Sequence, residues 1–453
     1  MSDQPEPWEI LQALIAEGRS QRVDQFLDGL SAMETVYAVS RLSQDDQSQL
    51  LIMLKPEDAA DLIEEVTNAQ AVDLIEHLSP EQAAHIVDEL PSDQQADILG
   101  ALSVSDAEAI IEEMAPSEAA DVRDLLQYPT NTAGGVMITE YLAYSDEVLI
   151  ANVLDDLRAN REIYAHYDVQ YGYVVSGDGK LIGVLRLRDL LLAPRENPLV
   201  SLMIPNPVSV PADMDIDDLH GVFDRYAFLG VPVVDHEDRL VGVVQRAAVD
   251  RAVGKQTEDV YLKTSGIVGG EELRSMGFFS RSLRRLSWLS VNIVLNIIAA
   301  SVIAFFQDTL SAVIVLAVFL PIISDMSGCS GNQAVAVSIR ELTLGLIKPQ
   351  DVWRVFFKEL VVGLMNGLVL GILLGTVAWL WQGNIYLGLV VGSALMINTL
   401  LAVCLGGLIP LVLRGMKIDP ALAAGPLLTT LTDMCGFLFV LGFASLMLDK
   451  LVP

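Results

Sequence analysis

The sequence predicts a multidomain membrane protein: an all-α superhelical N domain, an α/β unit built twice over, and an α-helical transmembrane bundle of five spans per chain. Three observations predict it. Charge divides the 453-residue chain, because residues 1–272 hold 51 of its 59 Asp and Glu against 17 of its 28 Lys and Arg, and the remainder is nearly neutral and apolar. A Pro-led acidic unit recurs through the first 130 residues, and a strand–turn–strand pattern occurs twice between residues 131 and 254. The expected divisions are an N domain over 1–130, the paired α/β units over 131–200 and 201–254, a connecting helix over 255–282 and a transmembrane domain over 283–453.

The N domain carries apolar residues at three- and four-residue spacing, with no strand-like alternation. Four segments repeat one another: Lys55-Pro56-Glu57-Asp58, Ser79-Pro80-Glu81-Gln82, Pro91-Ser92-Asp93-Gln94 and Ala115-Pro116-Ser117-Glu118. Each reads as a helix start, with Pro in the first turn and acids near the positive end of the helix dipole. Short helices at such intervals stack into a superhelix. A surface with net charge −31 over the chain repels nucleic acid and attracts cations, so no nucleic-acid partner is expected.

After Ala133-Gly134-Gly135-Val136-Met137, two halves follow one plan. Tyr171-Gly172-Tyr173-Val174-Val175 turns at Ser176-Gly177-Asp178-Gly179 into Leu181-Ile182-Gly183-Val184-Leu185, and Gly230-Val231-Pro232-Val233-Val234 turns at Asp235-His236-Glu237-Asp238 into Leu240-Val241-Gly242-Val243-Val244. This βαββα duplication resembles a tandem pair of cystathionine-beta-synthase (CBS) domains. That resemblance implies an adenine-nucleotide site, with ATP as its ligand and Arg188 and Asp189 in the first copy as its residues. The hydroxyl residue such sites use is Arg186 here, and the second copy has Gln245 and lacks the Asp.

Five apolar segments, near 286–306, 311–338, 355–381, 386–413 and 422–448, are each long enough to cross about 30 Å of hydrocarbon. Arg281, Arg284, Arg285, Arg340, Lys348, Arg354, Lys358, Arg414 and Lys417 all fall on one side of this zigzag, so the positive-inside rule places the N-terminus in the cytosol and the C-terminus outside the inner (plasma) membrane. The start of the chain lacks the basic and apolar run of a secretory signal. The cysteines, Cys329, Cys404 and Cys435, lie in apolar segments with no close pair and no neighbouring His, so neither a disulfide framework nor a zinc site is expected.

An ionised carboxylate inside a bilayer costs several kcal/mol or more unless a cation or water-filled cavity meets it. Asp433 in the fifth span and Asp325 in the second are such groups, each among hydroxyls, small residues and Gly or Pro breaks that free backbone carbonyls. Mg2+ gives up its water reluctantly and is held by one or two carboxylates through retained waters, which suits a wide polar pore with few acids. Asn332 joins these pore candidates, and packing between helices is its competing role. On the cytosolic side, acidic faces carrying Asp93, Asp97, Asp250, Glu258 and Asp259 repel one another until cations bridge them, so binding of Mg2+ there selects a compact, closed arrangement.

With these parts in place, the chain resembles the MgtE family of magnesium channels and transporters over nearly its whole length. The resemblance rests on the acidic repeat domain, Ala133-Gly134-Gly135-Val136-Met137 opening the CBS pair, Thr257-Glu258-Asp259, residues 321–333, and Asp419-Pro420-Ala421 leading to Asp433. It implies a homodimer of five-span chains with a pore on the dimer axis, no enzymatic activity, and Mg2+ as both cargo and closing signal. By resemblance Asp433 is the central pore carboxylate and the carbonyl of Thr429 a second contact. The family's Gly-Asn-x-Gly-Asn-Gln segment reads Gly328-Cys329-Ser330-Gly331-Asn332-Gln333 here, and an Asn often found before the Pro of the fifth span is Gly425. Asp325 is the residue positioned to compensate for those amides. Competing readings are a CBS-regulated transporter of another divalent cation, such as Co2+ or Mn2+, and an intramembrane aspartyl protease using the two acids as a dyad.

Overall fold

The structure, a computed structural model, describes residues 5–164, 167, 171–267 and 278–452. The chain divides into two compact units, one running to Thr257 and the other beginning at Glu258. Part of the expected connecting segment, residues 268–277, lies outside the described residues.

The first unit opens with ten short helices: α1 Pro7–Glu17, α2 Ser20–Leu27, α3 Ala32–Arg41, α4 Gln44–Met53, α5 Pro56–Glu65, α6 Asn68–Glu76, α7 Pro80–Val87, α8 Ser92–Ala101, α9 Val104–Glu113 and α10 Pro116–Leu125. Their starts follow the repeated unit. Pro56, Pro80 and Pro116 sit in the first turn, where a missing N–H leaves no extra unpaired carbonyl, and Pro91 is the N-cap of α8. Ser43, Thr67, Ser79 and Ser103 accept a hydrogen bond from a backbone N–H of the first turn. Alternate helices stack in two series: α3 on α5, α5 on α7 and α7 on α9, and α4 on α6, α6 on α8 and α8 on α10. The small faces Ala59-Ala60 and Ala83-Ala84 are buried between the layers with Leu62, Ile63, Ile86 and Val87. The domain is all-helical, as the repeat predicts, with alternate helices in contact.

The paired α/β units follow. β1 (Leu142–Ser145), helices α11 (Ile150–Ala159) and α12 (Arg161–Tyr164), β2 (Tyr171–Val175), β3 (Leu181–Arg186) and α13 (Leu187–Leu192) form the first with β4 (Ile204–Pro205); β5 (Val210–Pro211), α14 (Ile216–Arg225), β6 (Gly230–Val234) and β7 (Leu240–Gln245) form the second. In each a short strand runs parallel to the first arm of an antiparallel hairpin. The two hairpins even share an irregularity, a register shift at Val174/Val175 and again at Val233/Val234. The last helix of the second copy does not stop near residue 254: α15 runs unbroken from Arg246 to Thr264. No Pro interrupts it and Gly254 sits inside it without the positive φ of a helix cap, so the hairpin's closing helix and the start of the connecting helix are one element.

The second unit contains α16 (Phe278–Phe305), α17 (Gln307–Ala312), α18 (Leu316–Thr343), α19 (Val352–Gln382), α20 (Ile385–Gly415), α21 (Pro420–Leu446) and α22 (Leu448–Leu451). Five long helices thus stand where five apolar segments were expected, and among the described residues four helices are long and apolar enough to cross a bilayer: α16, α19, α20 and α21. α18 has the length, but the polar run over residues 324–333 interrupts its apolar character. α20 is the centre of the unit, packed against α18, α19 and α21. It meets α19 through facing glycines, Gly367, Gly371 and Gly375 against Gly388, Gly392 and Met396, so that a β-carbon on Gly371 would lie 2.6 Å from the Gly392 carbonyl oxygen. Backbones this close exclude side chains, which is how small residues bring membrane helices together.

Candidate functional site

Asp433 lies on α21, and the start of that helix explains its local shape. Asp419 caps it by accepting the N–H of Ala421 at 3.0 Å, and Pro420 fills the first position. Pro426 then sits inside the helix, where its absent N–H leaves a turn short of one backbone bond. Hydroxyls crowd the following turn: Thr429 donates to the Gly425 carbonyl at 3.0 Å, Thr430 to Pro426 at 2.8 Å and Thr432 to Thr429 at 3.0 Å. The Thr429 carbonyl, the expected second ion contact, therefore already accepts a hydroxyl, while the residue itself is exposed.

One turn further on, Asp433 is 8% exposed. Its Oδ1 accepts a 2.5 Å hydrogen bond from the Ser324 hydroxyl on α18. The backbone beside it is held from the opposite helix. Asn398 on α20, wholly buried, donates from Nδ2 to the Thr432 carbonyl at 3.0 Å, and its Oδ1 has no hydrogen-bond partner. The neighbouring Thr399 hydroxyl is likewise buried without one. Three helices thus contribute polar groups around one carboxylate.

Asp325 does not join Asp433. Adjacent helical residues point about 100° apart, so the rotation of α18 that brings Ser324 to Asp433 turns Asp325 to the outside. Asp325, Cys329 and Asn332, at i, i+4 and i+7, form an exposed polar stripe along α18, with the Cys329 thiol 4.0 Å from Asp325 Oδ1. The other face of the same segment, Ser327, Gly328, Ser330 and Gly331, is buried. Among the described residues no three His, Cys, Asp or Glu side chains converge as a metal cage.

On the first unit, Asp93 and Asp97 are partnered by the chain's own cations. Arg251 Nη2 lies 3.4 Å from Asp93 Oδ2, and Lys255 Nζ lies 3.3 Å from Asp97 Oδ2. Both bases come from α15 at i, i+4, matching the i, i+4 spacing of the acids on α8. Burial pushes the Asp93 carboxyl up to about 6, against the pull of the Arg251 guanidinium. Asp250 and Glu258 are exposed and Asp259 is half-buried on α15. Arg188 donates to Asp189 at 3.3 Å, and neither lines the cavity of about 250 Å³ walled by Tyr171, Tyr173, Gly230, Gln245, Arg246 and Asp250.

The family model of the MgtE divalent cation transporters matches residues 320–443, the model of the MgtE intracellular N domain matches 12–131, and CBS-domain models match 133–196 and 199–255. The magnesium transporter MgtE of Thermus thermophilus is 35% identical over 329 residues, covering 72% of each chain, and that of Bacillus subtilis is 32% identical over 331 residues, covering 73% of this chain and 72% of its own. The chain belongs to the MgtE family. A solved structure of the cytosolic domain of the Mg2+ channel MgtE in complex with ATP is 28% identical, covers 53% of this chain and 98% of that one, and superposes with a TM-score of 0.49. MgtE proteins are divalent cation transporters, so the chain is not an enzyme and the protease reading falls.

For an MgtE transporter, the membrane site has a plain chemical meaning. A single carboxylate with one oxygen bonded to a serine hydroxyl and, among the described residues, no cage of three His, Cys, Asp or Glu suits a cation that keeps its water rather than one stripped bare. The sequence singles out Asp433 as a candidate but not Ser324, which bonds it, or Asn398, which bonds the neighbouring backbone. The sequence does mark Asn398 as a lone amide in Met396-Ile397-Asn398-Thr399-Leu400, yet which helix it serves depends on packing.

Proposed function

We propose that the chain is a Mg2+ channel or transporter of the inner (plasma) membrane, working as a homodimer whose ion path passes Asp433. The observation that carries this reading is the Asp433 carboxylate, buried in a membrane helix and, among the described residues, given a serine hydroxyl but no Lys or Arg. A charge so placed is tolerated when a hydrated cation neutralises it in passage. α18 serves as the fifth span: its exposed Asp325, Cys329 and Asn332 would be costly against lipid, and a second copy of the chain covers them and places them beside the path. The basic residues from Arg281 to Lys417 keep the first unit in the cytosol and the C-terminus outside.

Closure follows from cations gathering on the cytosolic acids, foremost Glu258, Asp259 and Asp250 on α15. Asp93 and Asp97 join them as ligands only after Arg251 and Lys255 give way. ATP binds the CBS pair, as it does the cytosolic domain of the related Mg2+ channel.

The test is Mg2+ flux into proteoliposomes, with Co2+ and Mn2+ as competitors and with or without millimolar Mg2+ on the cytosolic face. Asp433→Ala is expected to abolish flux, and full flux in that variant defeats the path assignment. Removal of residues 1–130 is expected to relieve inhibition by cytosolic Mg2+; unchanged inhibition places the sensor elsewhere.

A further inference from the structure

The two oxygens of Asp433 are unlike. Oδ1 accepts the Ser324 hydroxyl at 2.5 Å, and Ser324 is the hydrogen-bond donor that the structure gives this carboxylate. The backbone on which Asp433 hangs is also fixed, because Asn398 Nδ2 is bonded to the carbonyl of Thr432, and that carbonyl belongs to the peptide leading into Asp433. Rotation of the carboxylate about its own side-chain bonds is the freedom that remains, and the Ser324 bond removes it.

We propose that Ser324 is a specificity-determining positioning residue that fixes the Asp433 carboxylate and weakens Oδ1 as a metal ligand, and so favours Mg2+ over Ca2+. The proposal rests on the reading of Asp433 as the carboxylate facing the ion. Ca2+ sheds water readily and accepts a carboxylate through both oxygens, at longer and more variable distances; Mg2+ holds its waters and needs one acceptor for them. The Ser324 hydroxyl takes one of the two lone pairs of Oδ1, draws charge from it and fixes the carboxylate plane, so an ion clamped by both oxygens gains less from Oδ1 than from an untied carboxylate. A hydrated Mg2+ loses nothing by the tie, since its bound water needs only Oδ2. Ser324 acts through Asp433 and touches no ion itself.

The experiment measures Mg2+ uptake by the full-length chain in proteoliposomes, with Ca2+ as competitor, for the wild type, Ser324→Ala, Ser324→Thr and Asp433→Asn. With Ser324→Ala, the Ca2+ concentration that halves Mg2+ uptake is expected to fall about tenfold, the size of one hydrogen bond to a charged group. Ser324→Thr, which keeps the hydroxyl, is expected to restore the wild-type ratio. A Ser324→Ala protein whose uptake or thermal stability changes while the Ca2+/Mg2+ ratio stays put overturns the proposal, since a merely structural serine would behave in that way. If the alanine variant does not fold, Ser324→Cys, nearly isosteric but a weak donor, is read by the same two outcomes. Undiminished uptake by Asp433→Asn removes the underlying path assignment instead, whereas its loss alongside an unchanged Ser324→Ala ratio removes the Ser324 role alone.

Discussion

Asn398 Nδ2 lies 2.7 Å from the point where a β-carbon on Gly436 would stand. The amide reaches the Thr432 carbonyl on α21 only because residue 436 has no side chain. Gly436→Ala is therefore expected to push the amide off its acceptor and destabilise the protein by about 1–3 kcal/mol. Thermal unfolding in detergent checks this, and the double variant Gly436→Ala/Asn398→Ala should recover part of the loss, because the obstructing amide is gone.

The α19–α20 contact predicts a harsher result. A β-carbon on Gly371 would meet the Gly392 carbonyl oxygen at 2.6 Å, and on Gly375 the Gly388 carbonyl oxygen at 2.7 Å. These obstacles are backbone and cannot rotate away. Gly371→Val is expected to lower the unfolding temperature more than Gly436→Ala does, and an unchanged melting curve would show that the helices are farther apart.

Asp419 does two jobs at the head of α21: it caps the helix through Ala421 and pairs with Lys263 at 3.1 Å. The pair is well exposed on both sides, so it is worth less than about 1 kcal/mol. Asp419→Asn keeps a capping oxygen and is expected to change stability little; Asp419→Ala loses the cap and costs about 1 kcal/mol. Equal losses for the two variants would show that the ion pair matters more than the cap.

Burial of Asp93 gives the first unit an expected pH dependence. Its folded-state pKa of about 6 stands above the unfolded value of 3.8, so the folded chain holds the proton more tightly and stability falls as pH rises from about 4 to about 6. The change is on the order of 3 kcal/mol at most, and it levels off above pH 6. Asp93→Asn should flatten this part of the stability curve, and Arg251→Ala should extend the fall to higher pH by removing the opposing cation. Melting temperatures across that range, in the full-length protein, provide the measurement.

Much of this arrangement was legible in the residues. Pro56, Pro80, Pro91 and Pro116 mark helix starts because capping and dipole effects are local, and all four stand at the starts of α5, α7, α8 and α10. The twin hairpins were legible because alternation and turn chemistry are local too. Asp433 stood out for a simpler reason: a carboxylate in an apolar run is conspicuous in any context. The sequence presents Asp93 and Asp97 as acidic faces for a cation to bridge, whereas in the structure each is met by a base 158 residues away. Nothing near either acid in the sequence names its partner.

What the sequence by itself determined is which stretches are helix, strand or membrane-length, and where the chain carries charge into oil. Those follow from periodicity, composition and the cost of unpaired charge, all of which act over a few turns. Only the tertiary structure decided that Ser324, and not the adjacent Asp325, meets a carboxylate 109 residues away. The reason is geometric: one residue turns a helix through about 100°, so the identity of a partner across the bundle depends on how each helix is rotated by its packing, which no single segment encodes.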